Sequence, residues 1–276
     1  MSPAEARRDA NFMNNVSVSV ITITRNNLAE LRGTLESVRA QDHASMEVIV
    51  VDGASTDGTP DFLRSLDQTK VKWISEPDQG ISDAYNKGVD PSSGDLCIFM
   101  NSGDEFVSAQ TIGQTVALIP NEAKVTDSVI YGDFYQVLGS ECNYTQADHT
   151  KLHSTCSLNH QSAFVGRNIG RRFRFDLRLR LEADYDVWLR MLSAGVPFIK
   201  VDLPIARFHL GGISSGLKYR VHILVIRYFL IALNTRKMMT VGDTFVLCFR
   251  AVLTQLSVSL RKLVGRRMIR LLKRFR

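Results

Sequence analysis

Residues 16–58 read VSVSVITITRNNLAELRGTLESVRAQDHASMEVIVVDGASTDG. Val16 to Thr24 is rich in β-branched and apolar residues, which predicts a buried strand. Leu28, Leu31, Leu35 and Val38 then recur at the helical period, and Met46 to Val51 is a second buried strand closed by the Asp52-Gly53 turn. Working outward, a short helix is expected from about Thr59 to Leu66, with Thr59 as N-cap and Pro60 at the first position. A strand at Val71 to Ser75, a helix at Ile81 to Val89 and a strand at Leu96 to Met100 follow. Strands and helices alternating through short connections predict parallel crossovers, hence an α/β, Rossmann-like, mostly parallel sheet flanked by helices. After Asp104 the pattern loosens. It predicts a helix from about Ala109 to Leu118, strands at Ser128 to Val137 and Ser162 to Val165, a basic stretch from Arg167 to Arg180, and a helix from Glu182 to Ser193.

In such a sheet the ligand crevice lies beyond the carboxyl ends of the strands, where the strand order switches. Four polar clusters fall there: Thr24-Arg25-Asn26, Asp52 to Gly58, Glu76 to Gly80, and Asn101-Ser102-Gly103-Asp104. The Asp52 loop suits either a tight turn with a helix cap or a carboxylate that receives donors from a nucleotide. No G-x-G-x-x-G and no Walker lysine follows the first strand, which excludes those two phosphate cradles. Asp104, at the end of a buried strand, suits either a plain turn or one hard ligand for Mg2+ or Mn2+, ions that take one or two carboxylates plus substrate phosphates. Asp184 and Asp186 open a helix, where the macrodipole favours the anion; they read as helix-end charges or as a carboxylate base. His160 and His209 stand singly and read as structural residues or as functional ones. Gly211-Gly212 reads as a turn or as a loop able to close over a ligand.

The chain has 276 residues, 45% hydrophobic and 22% charged, which excludes a disordered or collagen-like polymer. Cys97, Cys142, Cys156 and Cys248 form no C-x-x-C pair, so no zinc ribbon or thioredoxin-like motif is written here, and a reducing compartment is expected. Residues 1–15 contain no apolar h-region, which points to a cytoplasmic location. The net charge of +6 is a property of the tail. Nine Lys or Arg and no Asp or Glu follow Asp243, which leaves residues 1–243 at −3. Val221 to Leu233 and Thr244 to Leu253 are short and interrupted by charge, so no transmembrane helix is expected. From Leu256 onward apolar residues keep helical spacing while Lys262, Arg266, Arg270 and Lys273 face the other way, a basic amphipathic helix. It suits packing on the parent domain, an anionic membrane surface or RNA. Aliphatics between the charges and a single aromatic, Phe275, favour the membrane and argue against nucleic acid.

Taken in order, these loops resemble the inverting family 2 glycosyltransferases with the GT-A fold, in the bacterial polysaccharide branch resembling colanic-acid transferases. Val18 to Asn26 (VSVITITRN) looks like the family's first strand, and Val48 to Thr59 (VIVVDGASTDGT) is similar to its V-V-D-x-G-S-x-D-G-T loop. Glu76 to Gly88 (EPDQGISDAYNKG) resembles the D-x-G-x-x-D-A-x-N-K-G segment, and Phe99 to Phe106 (FMNSGDEF) stands where the family writes its D-x-D metal motif. Leu181 to Met191 (LEADYDVWLRM) resembles the acceptor-side E-D-Y-D-x-W-L-R helix. The resemblance implies a sugar transferred with inversion from a nucleoside-diphosphate sugar to a glycan or lipid-linked acceptor in bacterial surface polysaccharide synthesis. It implies that Thr24, Asn26, Asp52, Asp83, Lys87, Asn101 and Ser102 bind the donor. Asp104 would hold Mg2+ or Mn2+, with His209 as a further candidate ligand, and Asp184 would be the catalytic base. The D-x-D positions hold Asn101 and Gly103, and the glutamate of the E-D pair is Ala183, with Glu182 one residue early.

The expected organisation is a polar extension at 1–15, a GT-A domain at 16–215 and a helical membrane-associating region at 216–276. The enzyme would then sit peripherally on the cytoplasmic face of the inner membrane. Two other functions remain open. A nucleotidyltransferase would want a basic glycine-rich loop where Arg25-Asn26-Asn27 stands, and a catalytically silent nucleotide-sugar binder would accommodate Asn101 and Gly103.

Overall fold

The structure, a computed structural model, describes residues 16–209 and 220–235. The chain divides into two units, Met1–Gly212 and Ile213–Arg276. The expectations for residues 1–15, for Gly211-Gly212 and for the basic helix from Leu256 lie outside the described residues.

In the first unit, β1 (Val18–Thr24), β2 (Met46–Asp52), β3 (Val71–Ser75) and β4 (Leu96–Phe99) alternate with α1 (Leu28–Arg39), α2 (Thr59–Arg64) and α3 (Ile81–Val89). The four strands run parallel in the order β3-β2-β1-β4. All seven residues of β1 are buried, and six of them are β-branched, as suits a strand covered on both faces. One face carries the main core, where Leu31, Leu35 and Val38 of α1 meet Val18, Val20, Val48, Val50 and Ile98 of the sheet. On the other face α3 lies so close to β1 that a Cβ on Gly88 would overlap Cγ2 of Ile21. The segment ends in glycine because the helix packs there.

Beyond β4 the sheet changes character. β5 (Glu105–Phe106), β6 (Val129–Leu138), β7 (Glu141–Thr145), β8 (Ala163–Gly166) and β9 (Phe198–His209) extend it in the order β4-β8-β6-β9-β5, with β7 hairpinned on β6. Here β8 runs antiparallel to β4 and β6, β9 runs parallel to β6, and β5 runs antiparallel to β9. Helices α4 (Thr111–Ala117), α5 (Arg167–Arg172) and α6 (Ala183–Ser193) complete the unit. The expected elements of this unit appear close to their predicted bounds; β5, β7, β9 and α5 were not anticipated.

One local expectation is corrected. Gly58, with φ of 89°, stands at the N-cap of α2; Thr59 is the first helical residue and Pro60 the second. The cap fails to fall on Thr59 because Asp57 does its work: its Oδ1 accepts from the Thr59 backbone N–H at 3.2 Å and from the Thr59 hydroxyl at 2.6 Å. The basic stretch after β8 is pinned to the molecule. Arg167 donates to Ser93 O, Arg171 to Ser92 O, and Arg174 to Asp90 and Asn86 O.

In the second unit α7 (Arg220–Thr235) is described. Among the described residues no helix is long and apolar enough to cross a membrane.

Candidate active site

The register β1 to β2 to β3 pairs Thr24 with Asp52 and Asp52 with Ser75, so three polar loops leave the sheet side by side. The chain after β4 continues along β1, with Met100 N–H on Ile21 O at 2.9 Å and Ser102 N–H on Ile23 O at 3.2 Å. Asn101 and Ser102 therefore emerge next to Thr24, between the strands where the order reverses.

Several expected donor residues hold their own loops. Asp52 is fully buried and accepts from the Ser55 backbone N–H, the Ser55 hydroxyl and the Ser75 hydroxyl, the last at 2.6 Å. Asn26, in the left-handed region at φ 50°, donates its backbone N–H to Ser55 Oγ at 2.7 Å and accepts from Thr56 N–H at 2.8 Å. Asp83 accepts from Gln79 N–H at 2.9 Å. Lys87 pairs with Glu76 at 2.8 Å and Asp83 at 3.4 Å and donates to Pro77 O; the Glu76 contact, opposed in part by burial, raises its pKa above the ordinary lysine value. These residues shape the crevice wall. Thr24 Oγ1, Asn101 Oδ1 and Ser102 Oγ are different, being buried oxygens with no hydrogen-bond partner.

Asp104 is 5% exposed and bound on both oxygens, by Gln161 Nε2 at 2.6 Å and by the His209 backbone N–H at 3.0 Å. Burial lifts its carboxyl from 3.8 to about 6, against those hydrogen bonds, which favour the anion. Gly103 explains the missing carboxylate beside it. Its φ is +98°, and a Cβ there would lie 2.8 Å from Glu30 Oε2 on α1, so an aspartate would add strain and a second negative charge. A groove of about 560 Å3 runs along α1 past Gly103 to Asp104 and His209.

Among the described residues no three His, Cys, Asp or Glu side chains gather as a metal cage. The donor set still fits a hard divalent cation of the kind that is shared with substrate phosphates. It offers one carboxylate whose desolvation a cation would offset, in a loop that also holds unpartnered oxygens. His209 meets Asp104 through its backbone, and its side chain is exposed.

Asp184 and Asp186 separate on the first turn of α6. Asp186 is buried and pairs with Arg190 at 2.7 Å, a structural i,i+4 contact. Asp184 is partly exposed and faces His160, whose Nδ1 lies 3.4 Å from Asp184 Oδ2. The other ring nitrogen of His160 lies 2.9 Å from Tyr85 Oη and 3.0 Å from Asn101 Nδ2, and Asn101 Nδ2 also donates to Tyr85 Oη at 2.8 Å. Burial, with the nearby Asp184 and Asp104 charges, keeps the Tyr85 phenol far above its ordinary pKa and so protonated. Of this cluster, Tyr85 and Gln161 were not singled out from the sequence. Their signal is adjacency alone: Tyr85 lies inside the D-A-Y-N-K-G run, and Gln161 follows His160.

A family model described as Glycosyl transferase family 2 matches residues 19–175. An uncharacterized glycosyltransferase of Mycobacterium tuberculosis is 30% identical over 204 residues, covering 72% of this chain and 77% of the relative. A PGL/p-HBAD biosynthesis glycosyltransferase of the same species is 32% identical over 183 residues, 63% of this chain and 69% of the relative. Among solved structures, Staphylococcus aureus TarS in complex with UDP-GlcNAc aligns with a TM-score of 0.62 at 17% identity, over 79% of this chain and 66% of that one. The chain thus spans just under two thirds of that TarS chain. The mannosyltransferase PcManGT from Pyrobaculum calidifontis, in complex with GDP-Man and Mn2+, aligns with a TM-score of 0.63 at 17% identity, over 90% of this chain and 76% of that one. The fold is accordingly of the GT-A type. With parallel strands delivering polar loops to one crevice, and a family match spanning more than half its length, this chain belongs to glycosyltransferase family 2.

Proposed function

We propose that the protein transfers a sugar, with inversion, from a nucleoside-diphosphate sugar to a hydroxyl of a glycan or lipid-linked acceptor in surface glycan synthesis. The observation that carries this reading is the meeting of Asp184 with the loop after β4 through the His160 ring, across 83 residues of chain. A carboxylate at a helix N-terminus beside a nucleotide crevice suits removal of a proton from an acceptor hydroxyl. That oxygen then attacks the anomeric carbon as the bond to the diphosphate breaks. A single in-line displacement converts an α-linked donor into a β-linked product.

Thr24, Asn101 and Ser102 offer their unpartnered oxygens to the donor, while Asn26, Asp52, Asp83 and Lys87 keep the crevice walls in place. Asp104, with His209 beside it, would hold Mg2+ or Mn2+. When bound, the cation neutralises charge on the departing nucleoside diphosphate. The GDP-Man and Mn2+ complex of PcManGT and the UDP-GlcNAc complex of TarS support the donor class. The basic sequence from Leu256 supports peripheral attachment to the cytoplasmic leaflet, where each basic residue adds about 1 kcal/mol.

The test is a melting-temperature panel with UDP, GDP, CDP and TDP, each with and without Mn2+, since a ligand that binds only the folded chain raises stability. One nucleotide, with Mn2+, is expected to raise the melting temperature. Asp184→Asn should keep that shift and lower turnover by about 10²–10⁴-fold. No shift with any nucleotide, or full turnover in Asp184→Asn, contradicts the reading.

A further inference from the structure

His160 is held at the centre of the site by partners from three elements. Its short turn, residues 160–162, is capped by Asn159, whose Oδ1 accepts from Gln161 N–H at 3.0 Å. The ring packs edge-on to Tyr85 at 5.2 Å between centroids and to Phe99 at 6.2 Å. This packing leaves the imidazole one orientation, with Nε2 toward α3 and the loop after β4 and Nδ1 toward α6.

Hydrogen bonding then decides where the ring proton sits. Asn101 Nδ2 donates to Tyr85 Oη at 2.8 Å and lies 3.0 Å from His160 Nε2, with no lone pair to accept a hydrogen from it. Tyr85 Oη accepts from Asn101, so its own hydrogen is free for Nε2, 2.9 Å away. Nε2 therefore accepts the Tyr85 O–H, beside an Asn101 amide nitrogen that has no lone pair to offer it, and the ring proton sits on Nδ1, the nitrogen facing Asp184 Oδ2. The second oxygen of Asp184 accepts from the Tyr185 backbone N–H at 2.9 Å.

We propose that His160 is the positioning residue of the base: through an Nδ1–H tautomer imposed by Tyr85 and Asn101, it orients the Asp184 carboxylate and ties it to the donor loop. This rests on the reading of Asp184 as base. The arrangement reverses the familiar order in which a carboxylate orients a histidine base. It also gives Asn101 a task that an aspartate could not perform, because a carboxylate there would accept an Nε2–H and reverse the tautomer. An asparagine at that D-x-D position thus belongs to the wiring of the base.

Two variants separate the two sides of the ring. His160→Asn places an amide N–H near the position of Nδ1, and His160→Gln places its amide near Nε2. Turnover is read as nucleoside diphosphate released from UDP-GlcNAc or GDP-mannose with water as acceptor, and the tautomer as the imidazole ¹⁵N resonances of His160 in the full chain. The wild-type ring should be Nδ1–H, with its Nδ1 resonance moving in Asp184→Asn. His160→Gln should lower kcat about 30-fold at an unchanged donor KM, and His160→Asn should recover most of that loss. An Nε2–H ring, an Nδ1 resonance indifferent to Asp184→Asn, or equal kcat in the two variants overturns the proposal. Full turnover in Asp184→Asn overturns the base reading and this inference with it. An inactive Asp184→Asn beside a fully active His160→Gln overturns this inference alone.

Discussion

Glu47 and Asp104 lie at opposite ends of the same sheet and are treated in opposite ways. Glu47, where β2 begins, is partly buried, which alone would raise its pKa. Lys72 at 2.7 Å, the Ser19 hydroxyl, and the backbone and hydroxyl of Ser93 outweigh that and bring it to about 2. Asp104, beyond the other end of the parallel strands, receives two protein donors and is still lifted to about 6 by burial. Beside it lie oxygens of Thr24, Asn101, Ser102 and Gln161 without partners. Glu47 is closed into a satisfied ion network, whereas Asp104 is bound by neutral donors beside oxygens that have none. A protein that folded for stability alone would have treated both ends like the first. The deficit at the second is what a cation and a phosphorylated ligand would fill.

Three substitutions break or sharpen this contrast. Gly103→Asp, which writes a carboxylate back into the D-x-D position, should cost about 2–4 kcal/mol through positive φ, collision with Glu30 and like-charge repulsion. Urea unfolding at pH 7 measures it, and a neutral result would show that the loop has room. Glu47→Gln should cost about 1–2 kcal/mol at pH 7, allowing for solvent screening. The carboxyl is depressed on folding, so its contribution is present above about 4.5, the unfolded value, and lost as pH falls through about 2. The variant's deficit should therefore shrink between pH 5 and pH 2. For Asp104 the sign is reversed. Its pKa rises on folding, so in metal-free buffer the protein loses stability as pH climbs from about 4 to about 6. Asp104→Asn should remove about 1–2 kcal/mol of that slope and abolish any stabilisation by Mn2+. The Gln161 amide can turn its unpartnered Oε1 to the new N–H, so the variant should fold. A Mn2+ shift that survives would remove Asp104 from the metal's ligands.

The parallel half was legible because its strands are short runs rich in apolar and β-branched residues that lead into Asp52, Ser75 and Asn101, and α1 keeps the 3.6 period. The mixed half was less so. β9 carries Lys200, Asp202 and Pro204 and meets β6 through register shifts near Asp133, so no clean period marks it. Asp184 was legible as a helix-opening carboxylate, and the motif resemblance alone set it apart from Asp186; the contacts that distinguish the two were not legible. They depend on which side of α6 meets His160 and which meets Arg190. The self-contained bonding of Asp52, Asp83 and Lys87 was equally hidden, since a motif shows residue types and not their partners. The network around His160 spans separations of 75, 59 and 24 residues, and only the folded chain brings those groups together.

The segment at Arg174 and Phe175 carries a last consequence. Asn86 of α3 donates to Phe175 O at 2.9 Å and accepts from Phe175 N–H at 3.0 Å, Arg174 reaches Asp90 and Asn86 O, and Arg190 of α6 donates to Arg174 O at 2.7 Å. Two helices from different halves of the fold are thus bolted to one short bracket. On the reading proposed above, this bracket would set the span between the strand-end loops and Asp184 like a gauge, so that a change of sugar or acceptor would be accommodated in the loops around it while the jaw keeps its width.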